Sequence, residues 1–296
     1  MRIVSLLPST TEILFAVGAG DDVVGVTFEC DFPAEARTRR IVSTSALPEG
    51  LDAAEIDRVV TQRMRAGEDL YHLDAGALSD LDADLVVTQD LCAVCAVDVS
   101  VVDDALRHLG CRADVLTIDP HTLDAVLESV VTLGRSSGHA EAAEHLVDDL
   151  RRRLVAVDAL VADTPRPRAL VLEWTDPPFA PGHWVPEMVT RAGGANVIGT
   201  AGAKSFRTTW ADALAGDPEV VVVAPCGYHL DGACAEAERL MADDVLPQGV
   251  PVWAVDANAS FARPGPRLVD GVEALASIFH PDLAGPPAPT MARRIA

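Results

Sequence analysis

The sequence predicts an α/β fold of two Rossmann-like lobes, each with a mostly parallel sheet, joined by one long helix. Three observations support this prediction. Short apolar strands alternate with helices of apolar periodicity along the 296 residues, a block of strand, loop and helix occurs twice, and an uninterrupted helical stretch separates the two copies.

The repeated block begins at the start of the chain. Residues 1–26 and 168–199 each run from an arginine and a short apolar strand, through a polar or proline-rich loop, to a helix and a second short strand. Each helix is followed by a glycine pair, as expected of helix C-termini that need a positive φ: Gly18 with Gly20, and Gly193 with Gly194. Further matching segments follow in the same order: residues 77–95 with 213–227, and residues 111–134 with 250–279.

One long helix is predicted between the halves. Residues 139–163 contain no Pro or Gly and place apolar residues at helical spacing, and a proline-containing segment then ends the helix. The C-terminal stretch is rich in Pro and Ala and lacks periodicity. The predicted organisation is an N-terminal lobe (1–137), a linking helix (138–164), a C-terminal lobe (165–285) and a tail (286–296).

Composition excludes several classes of function. With 45 acidic and 23 basic residues the formal net charge is −22, which repels nucleic-acid phosphates and anionic lipid surfaces. No apolar run is long enough to span a membrane. Because Arg2 leads directly into a core-type strand, we expect no signal peptide and a cytoplasmic location, or a periplasmic or extracellular one if a leader precedes the chain.

The predicted fold indicates where a ligand would bind. Ligands of open parallel sheets lie at the carboxyl ends of the strands, where loops and helix N-termini converge. The ligand-binding candidates at these strand ends are Pro8, Ser9, Thr10, Phe28, Glu29, Cys30, Asp31, Gln89, Trp174, Phe179, His183, Trp184, Phe206, Tyr228 and Phe261. Other polar residues predicted at the same ends are Glu173, Lys204, Ser205, His229 and Asn258.

The PSTTE segment at residues 8–12 admits two interpretations. Ser9 or Thr10 before an apolar helix is a typical N-cap, and Glu12 could complete a capping box from Ser9. The N–H groups at the same helix end could instead bind a polar group of a ligand.

Aromatic residues make up only 4% of the chain, yet several fall at predicted strand ends rather than inside strands. A large, flat ligand would use such side chains. The alternative is that each aromatic ring packs against the core of its own lobe.

The cysteines suggest a metal site. Cys92 and Cys95 form a CxxC directly after a strand, which fits a redox pair, half of a metal site or two packed small residues. Cys30 and Cys226 also fall at strand ends, and thiolates of this kind suit zinc, Cu(I) or an iron–sulfur centre. The predicted metal ligands are Cys30, Cys92, Cys95 and Cys226.

The sequence assigns no catalytic residue. It contains no nucleophile-elbow motif, no phosphate-binding GxxxxGK[ST] and no HExxH. A metal- or cofactor-dependent enzyme that uses a cysteine with His183 or His229 remains an alternative.

The blocks at residues 1–26 and 173–199, the strand DLVVTQ, the long helix and the segment TTWADALAGDPEVVVV together resemble the vitamin B12-binding proteins of ABC uptake systems. These belong to the helical-backbone (class III) periplasmic solute-binding superfamily. The resemblance covers residues 1–283 and implies two α/β lobes joined by a rigid helix, with a corrinoid held in the cleft between them. It places corrinoid contacts at residues 8–10 and 28–31, and at Trp174, His183, Trp184 and Phe206.

The expected function is therefore binding of cobalamin, a small-molecule ligand, by a cytosolic carrier or sensor rather than a transporter receptor. Docking on an ABC permease is in doubt, because the positions that would be acidic in the family fall near Gly76 and Ala211, although Asp80 and Asp212 lie close by. The alternatives are the cysteine-dependent enzyme with zinc or an iron–sulfur centre, and haem or siderophore binding.

Overall fold

The structure is a computed structural model that describes residues 1–48, 50–66, 68, 70–73, 81–89 and 113–296. Its class is the predicted one, α/β with mostly parallel central sheets. The chain forms two compact units. The first comprises Met1–Pro120 and Leu127–Asp148, and the second comprises His121–Val126 and Asp149–Ala296.

The first unit is built on a parallel sheet. Its described strands are β1 (Ile3–Ser5), β2 (Val23–Val26), β3 (Arg40–Ile41), β4 (Ser43–Ser45), β5 (Tyr71–Leu73), β6 (Leu85–Thr88) and β7 (Asp114–Thr117). The sheet order is β3-β2-β1-β6-β7 with every pair parallel, while β4 and β5 pair antiparallel. All three residues of β1 are buried, and Ile3 and Val4 give this central strand an apolar side chain on each face.

The first two helices are α1 (Pro8–Ala16) and α2 (Ala53–Ala66). The prediction that Ser9 or Thr10 caps α1 is wrong. The helix begins at Pro8, whose fixed φ suits the first helical turn, and its N-cap is Leu7, which makes no side-chain cap. The helix ends at Ala16, with Val17 as its C-cap, and Gly18 directly after the cap has a φ of 87°.

Two helices pass between the units. They are α3 (Leu123–Ser136) and α4 (Ala140–Leu160), so the predicted linking helix is present but shorter than 138–164. Along the chain, the boundaries between the units fall inside α3, at Val126/Leu127, and inside α4, at Asp148/Asp149. The division at residues 137 and 164 stays a prediction. In the described part of the chain, no helix combines the length and apolar character needed to cross a bilayer.

The second unit contains two sheets. Its strands are β8 (Arg168–Leu172), β9 (Trp174–Thr175), β10 (Pro178–Ala180), β11 (Ala195–Asn196), β12 (Phe206–Arg207), β13 (Val220–Val223), β14 (Val252–Val255) and β15 (Ala292–Arg294). The main sheet has the order β11-β8-β13-β14-β15, and a small antiparallel sheet has the order β12-β10-β9. Its helices are α5 (Val185–Arg191), α6 (Trp210–Leu214), α7 (Leu230–Ala242), α8 (Ala257–Ser260), α9 (Leu268–Phe279) and α10 (Pro281–Ala284).

The core of the second unit fixes the strand ends in place. All four valines of β13 are buried, and they lie beside Leu170 and Leu172 of the parallel neighbour β8. Burial of each such side chain contributes about 1.5–3 kcal/mol. The packed strands β8, β13 and β14 therefore fix the positions of the residues that directly follow them.

Part of the predicted tail (286–296) forms a strand that the sequence did not predict. Residues 292–294 form β15, which pairs antiparallel with β14 in the register Trp253 to Arg294 and Val255 to Ala292. The strand is only three residues long, and the Pro- and Ala-rich stretch before it hides any periodicity.

Candidate functional site

In the first unit, the loop after β2 carries an aromatic and acidic cluster. The rings of Phe28 and Tyr71 lie 5.9 Å apart, and the Tyr71 hydroxyl donates to Glu29 Oε2 at 3.0 Å. Phe28, Glu29 and Asp31 are half-buried. Tyr71 was not predicted as a site residue, because it reaches this loop only through the tertiary fold.

Most of the other candidates of the first unit are interior. Pro8, Ser9 and Thr10 are buried, and Gln89, after β6, is 5% exposed. The Thr11 hydroxyl lies 2.8 Å from Ser5 Oγ, 3.0 Å from Leu7 O and 3.1 Å from Cys30 Sγ. Cys30 is 2% exposed and is also 3.2 Å from the Thr27 hydroxyl. The thiol of Cys30 therefore lies in the interior of the first unit, in hydrogen-bond contact with two threonine hydroxyls.

In the second unit, aromatic side chains gather at the carboxyl ends of β8 and β13. The rings of Trp174 and Tyr228 meet edge to face, with centroids 5.6 Å apart and an interplanar angle of 72°. Both residues are half-buried. The Trp174 indole donates to Asp176 O at 3.2 Å, and the backbone O of Tyr228 accepts from Asn258 N at 3.0 Å. The segments that follow β8, β13 and β14 thus all contribute to the position of this pair.

A cation–π pair lies on the small sheet. Phe179 of β10 pairs with Arg207 of β12, and the Arg207 guanidinium lies 5.9 Å from the Phe179 ring centroid. Phe206, beside Arg207, is 47% exposed. The sheet therefore presents a large apolar side chain to solvent next to a cation.

Two predicted ligand contacts lie in the core instead. Trp184 is 5% exposed and Phe261 is 3% exposed, and the Trp184 indole donates to Phe261 O at 2.7 Å. The buried indole N–H thus finds a backbone partner inside the unit, which gives both residues a structural role.

His183 adjoins this core. Its φ is 49°, in the left-handed region, and its ring centroid lies 5.6 Å from that of His121 and 5.5 Å from that of Trp184. Burial lowers the pKa of His183, and the nearby charges of His121 and Lys204 lower it further. Its buried Nε2 has no hydrogen-bond partner among the described residues.

Glu173 lies between β8 and Trp174. Its carboxyl group accepts from Gly182 N at 3.1 Å and from the Ser205 side chain. Burial raises the pKa of Glu173 to about 7, although both hydrogen bonds act in the opposite direction. The sequence placed Glu173 at a strand end but gave no sign of this perturbation.

A histidine on the same side of the sheet is held by polar neighbours. His229 Nδ1 lies 3.3 Å from Asp256 Oδ1, and its Nε2 lies 3.2 Å from Asn258 Nδ2. A neutral imidazole that donates from Nδ1 and accepts at Nε2 satisfies both contacts.

The predicted metal site receives no support. Cys226 is exposed in the loop after β13, Cys30 is enclosed by hydroxyls, and Cys92 and Cys95 lie outside the described residues. Within the ranges that the structure describes, no group of three or more His, Cys, Asp or Glu side chains is placed to hold a metal ion. Zinc and an iron–sulfur centre are therefore not supported as cofactors.

Comparison with known proteins identifies the family. An uncharacterized ABC transporter substrate-binding lipoprotein of Bacillus subtilis (strain 168) is 26% identical over 293 residues, which cover 95% of this chain and 80% of the relative. A vitamin B12-binding protein of Vibrio cholerae serotype O1 is 25% identical over 279 residues, which cover 92% of this chain and 86% of the relative.

The fold is shared with solved structures. A periplasmic heme binding protein from Pseudomonas aeruginosa superposes with a TM-score of 0.72 at 21% identity, covering 98% of this chain and 96% of the other. The names of these relatives give no support to the predicted cytoplasmic carrier. The profile of the family described as periplasmic binding protein matches residues 3–254, and the chain therefore belongs to the periplasmic binding protein family.

Proposed function

We propose that this protein binds a corrinoid of the cobalamin type outside the cytoplasm and serves an ABC uptake system. The name of the Vibrio cholerae relative supports the ligand, and the name of the Bacillus subtilis relative supports the transport role and the location. The match to both runs over more than nine-tenths of this chain.

The observation that carries the proposal is the pair formed by Trp174 and Tyr228. A corrin is a large macrocycle with an apolar face and a rim of carboxamides, so it calls for aromatic edges beside hydrogen-bonding groups. The half-buried rings at the ends of β8 and β13 supply the edges. The side chains of His229, after β13, and Asn258, after β14, lie 3.2 Å apart and supply polar atoms.

Charge favours a corrinoid over an anionic iron chelate. The chain carries a net charge of −22, and anionic ferric siderophores need several cations around them. Lys204 and Arg207 are exposed on the second unit beside Phe206. Haem, with two propionates, is the closer competitor because it is also flat.

Titration of the purified protein with cyanocobalamin, haemin and an anionic ferric catecholate siderophore tests the proposal by calorimetry. We expect cyanocobalamin to bind at micromolar concentration or tighter and the siderophore not to bind. Absence of binding of both cyano- and hydroxocobalamin would refute the proposal, and tight binding of haemin alone would assign the site to haem.

A matched pair of variants locates the site. Trp174→Leu removes a half-buried ring of the aromatic pair, whereas Trp210→Leu removes a half-buried ring on α6 that packs against the core of the second unit and is not part of this pair. We expect Trp174→Leu to weaken cyanocobalamin binding by about two- to tenfold, given roughly 0.5–1.5 kcal/mol for an aromatic contact beyond its buried area. Trp210→Leu should leave the affinity within about twofold.

A further inference from the structure

One face of helix α7 contacts both segments that carry the aromatic pair of the second unit. Gly232, Glu236 and Arg239 are spaced by four and three positions along this helix, so they share one face of it. Gly232 adjoins the ring of Tyr228, while Glu236 and Arg239 contact the turn that begins at Trp174. A single helix face therefore meets the supports of both rings.

Glu236 holds the strand that carries Trp174. The Thr175 hydroxyl donates to Glu236 Oε2, and Thr175 is 2% exposed. Glu236 is itself largely buried, with 13% of its side chain exposed. Successive side chains of a strand point to opposite sides, so the anchoring of Thr175 in the interior directs Trp174, its neighbour in β9, to the other side.

Arg239 extends this connection to the turn after β9. Its guanidinium donates to Glu236 Oε2 at 2.6 Å and to the Thr175 hydroxyl at 3.3 Å. It also forms an ion pair with Asp176 Oδ2 at 3.5 Å, and the backbone O of Asp176 accepts from the Trp174 indole at 3.2 Å. Because a guanidinium is a rigid fork of donors, these contacts fix the turn and the indole relative to the helix.

Gly232 makes room for the second ring. A Cβ at this residue would lie 2.7 Å from Cδ1 of the Tyr228 ring, well inside the roughly 3.5–4.0 Å at which carbon atoms pack. Glycine is a poor helix former, so its presence in the first turn of α7 fits a requirement for space. The Tyr228 ring can therefore lie against the helix and meet Trp174 edge to face.

We propose that these three residues of α7 are positioning residues of the ligand site. Glu236 and Arg239 hold the indole of Trp174 in place, and they act on the ligand through that ring. Gly232 acts in the same way through the ring of Tyr228. A pair of rings that is already ordered spares the ligand the cost of ordering it on binding. This inference rests on the proposed function for the identity of the ligand, whereas the fixing of the two rings does not depend on it.

The first test needs no ligand and follows the surroundings of Trp174. Its contribution to near-ultraviolet circular dichroism is the difference between a protein and the same protein with Trp174→Leu. Arg239→Met removes the guanidinium but keeps an apolar stem, and Gly232→Ala displaces the Tyr228 ring, so each should reduce this contribution. Glu238→Gln, which removes an exposed carboxylate from α7, should leave it unchanged.

This spectrum separates positioning from a merely structural role. A substitution that only lowers the free energy of unfolding leaves the spectrum of the folded protein as it is. An unchanged Trp174 contribution in Arg239→Met or in Gly232→Ala would therefore overturn the inference.

The second test is the affinity for cyanocobalamin, measured by calorimetry. Arg239→Met and Gly232→Ala should each weaken binding by about two- to tenfold, the loss expected when one ring of the pair no longer contributes. Loss of folding would lower the stoichiometry of the titration rather than the affinity. Glu238→Gln should bind as the wild type does, and wild-type affinity in either of the other two variants would overturn the inference.

Double variants show whether the helix acts through the rings. If Arg239 acts through Trp174, the combination of Arg239→Met with Trp174→Leu should bind no more weakly than Trp174→Leu alone. Gly232→Ala should likewise add nothing to Tyr228→Leu. Losses that add up in either combination would overturn the inference, whereas a protein whose spectrum responds as expected but that binds no corrinoid would refute only the proposed ligand.

Discussion

Replacing Glu173 by Gln should stabilise the second unit against unfolding, and increasingly so as the pH rises. The pKa of Glu173 is raised from 4.5 to about 7 by burial. Such a shift makes the folded state bind the proton more tightly than the unfolded state, so the free energy of unfolding falls as the pH rises from the unfolded to the folded pKa. Gln keeps the acceptor for Gly182 but carries no charge.

The size of the effect follows from the shift. At 1.36 kcal/mol per pKa unit, the stability difference between variant and wild type grows by at most about 2.5 kcal/mol between pH 5 and pH 8. Partial exposure of Glu173 reduces this, so we expect roughly 1–2.5 kcal/mol. All of the difference should develop below about pH 8.

Tryptophan fluorescence is a suitable assay, because the four tryptophans at positions 174, 184, 210 and 253 all belong to the second unit. Urea unfolding at several pH values then reports on that unit. Glu238→Gln serves as the control and should show a constant difference from the wild type. A Glu173→Gln difference that stays constant within about 0.5 kcal/mol from pH 5 to pH 8 would refute the reasoning.

Three further predictions concern other parts of the protein. Tyr228→Leu should weaken cyanocobalamin binding about tenfold by calorimetry, whereas Tyr228→Phe keeps the ring edge and should bind within about twofold; equal losses would contradict the edge contact. Thr11→Val should lower the free energy of unfolding by roughly 1–3 kcal/mol in urea titrations, because the buried Ser5 hydroxyl loses a partner, and a loss below about 0.5 kcal/mol would speak against that network. Maleimide labelling read by peptide mass spectrometry should modify Cys226 in the native protein and Cys30 only after unfolding, and native labelling of Cys30 would contradict its 2% exposure.

The main elements of the fold could be predicted because their signals are local. Buried parallel strands such as β13 read as continuous apolar runs, and glycines such as Gly18 mark helix ends. The last strand could not be predicted. Its three residues become a strand only by pairing with β14, a tertiary contact that leaves no pattern in the sequence.

The candidate site was predicted in part for the same reason. The rule that ligands lie at strand ends located Trp174 and Tyr228, whose rings the fold brings together. It could not separate them from Trp184 and Phe261, because burial of a loop aromatic depends on distant partners. Tyr71 was not predicted because its contact with the site also depends on a distant partner: Glu29 lies 42 residues away along the chain.

The pairing of β15 with β14 bears on how the protein can be handled. Beyond the strand itself, Ile295 N and Ala296 N donate to Val252 O, and Asp256 N donates to Met291 O. The last residues thus cover an edge that would otherwise offer unpaired backbone groups to a strand of another molecule. Truncation before residue 291 should therefore expose the edge of β14 and promote aggregation. An affinity tag fused directly after residue 296 needs a spacer so that it does not disturb this pairing.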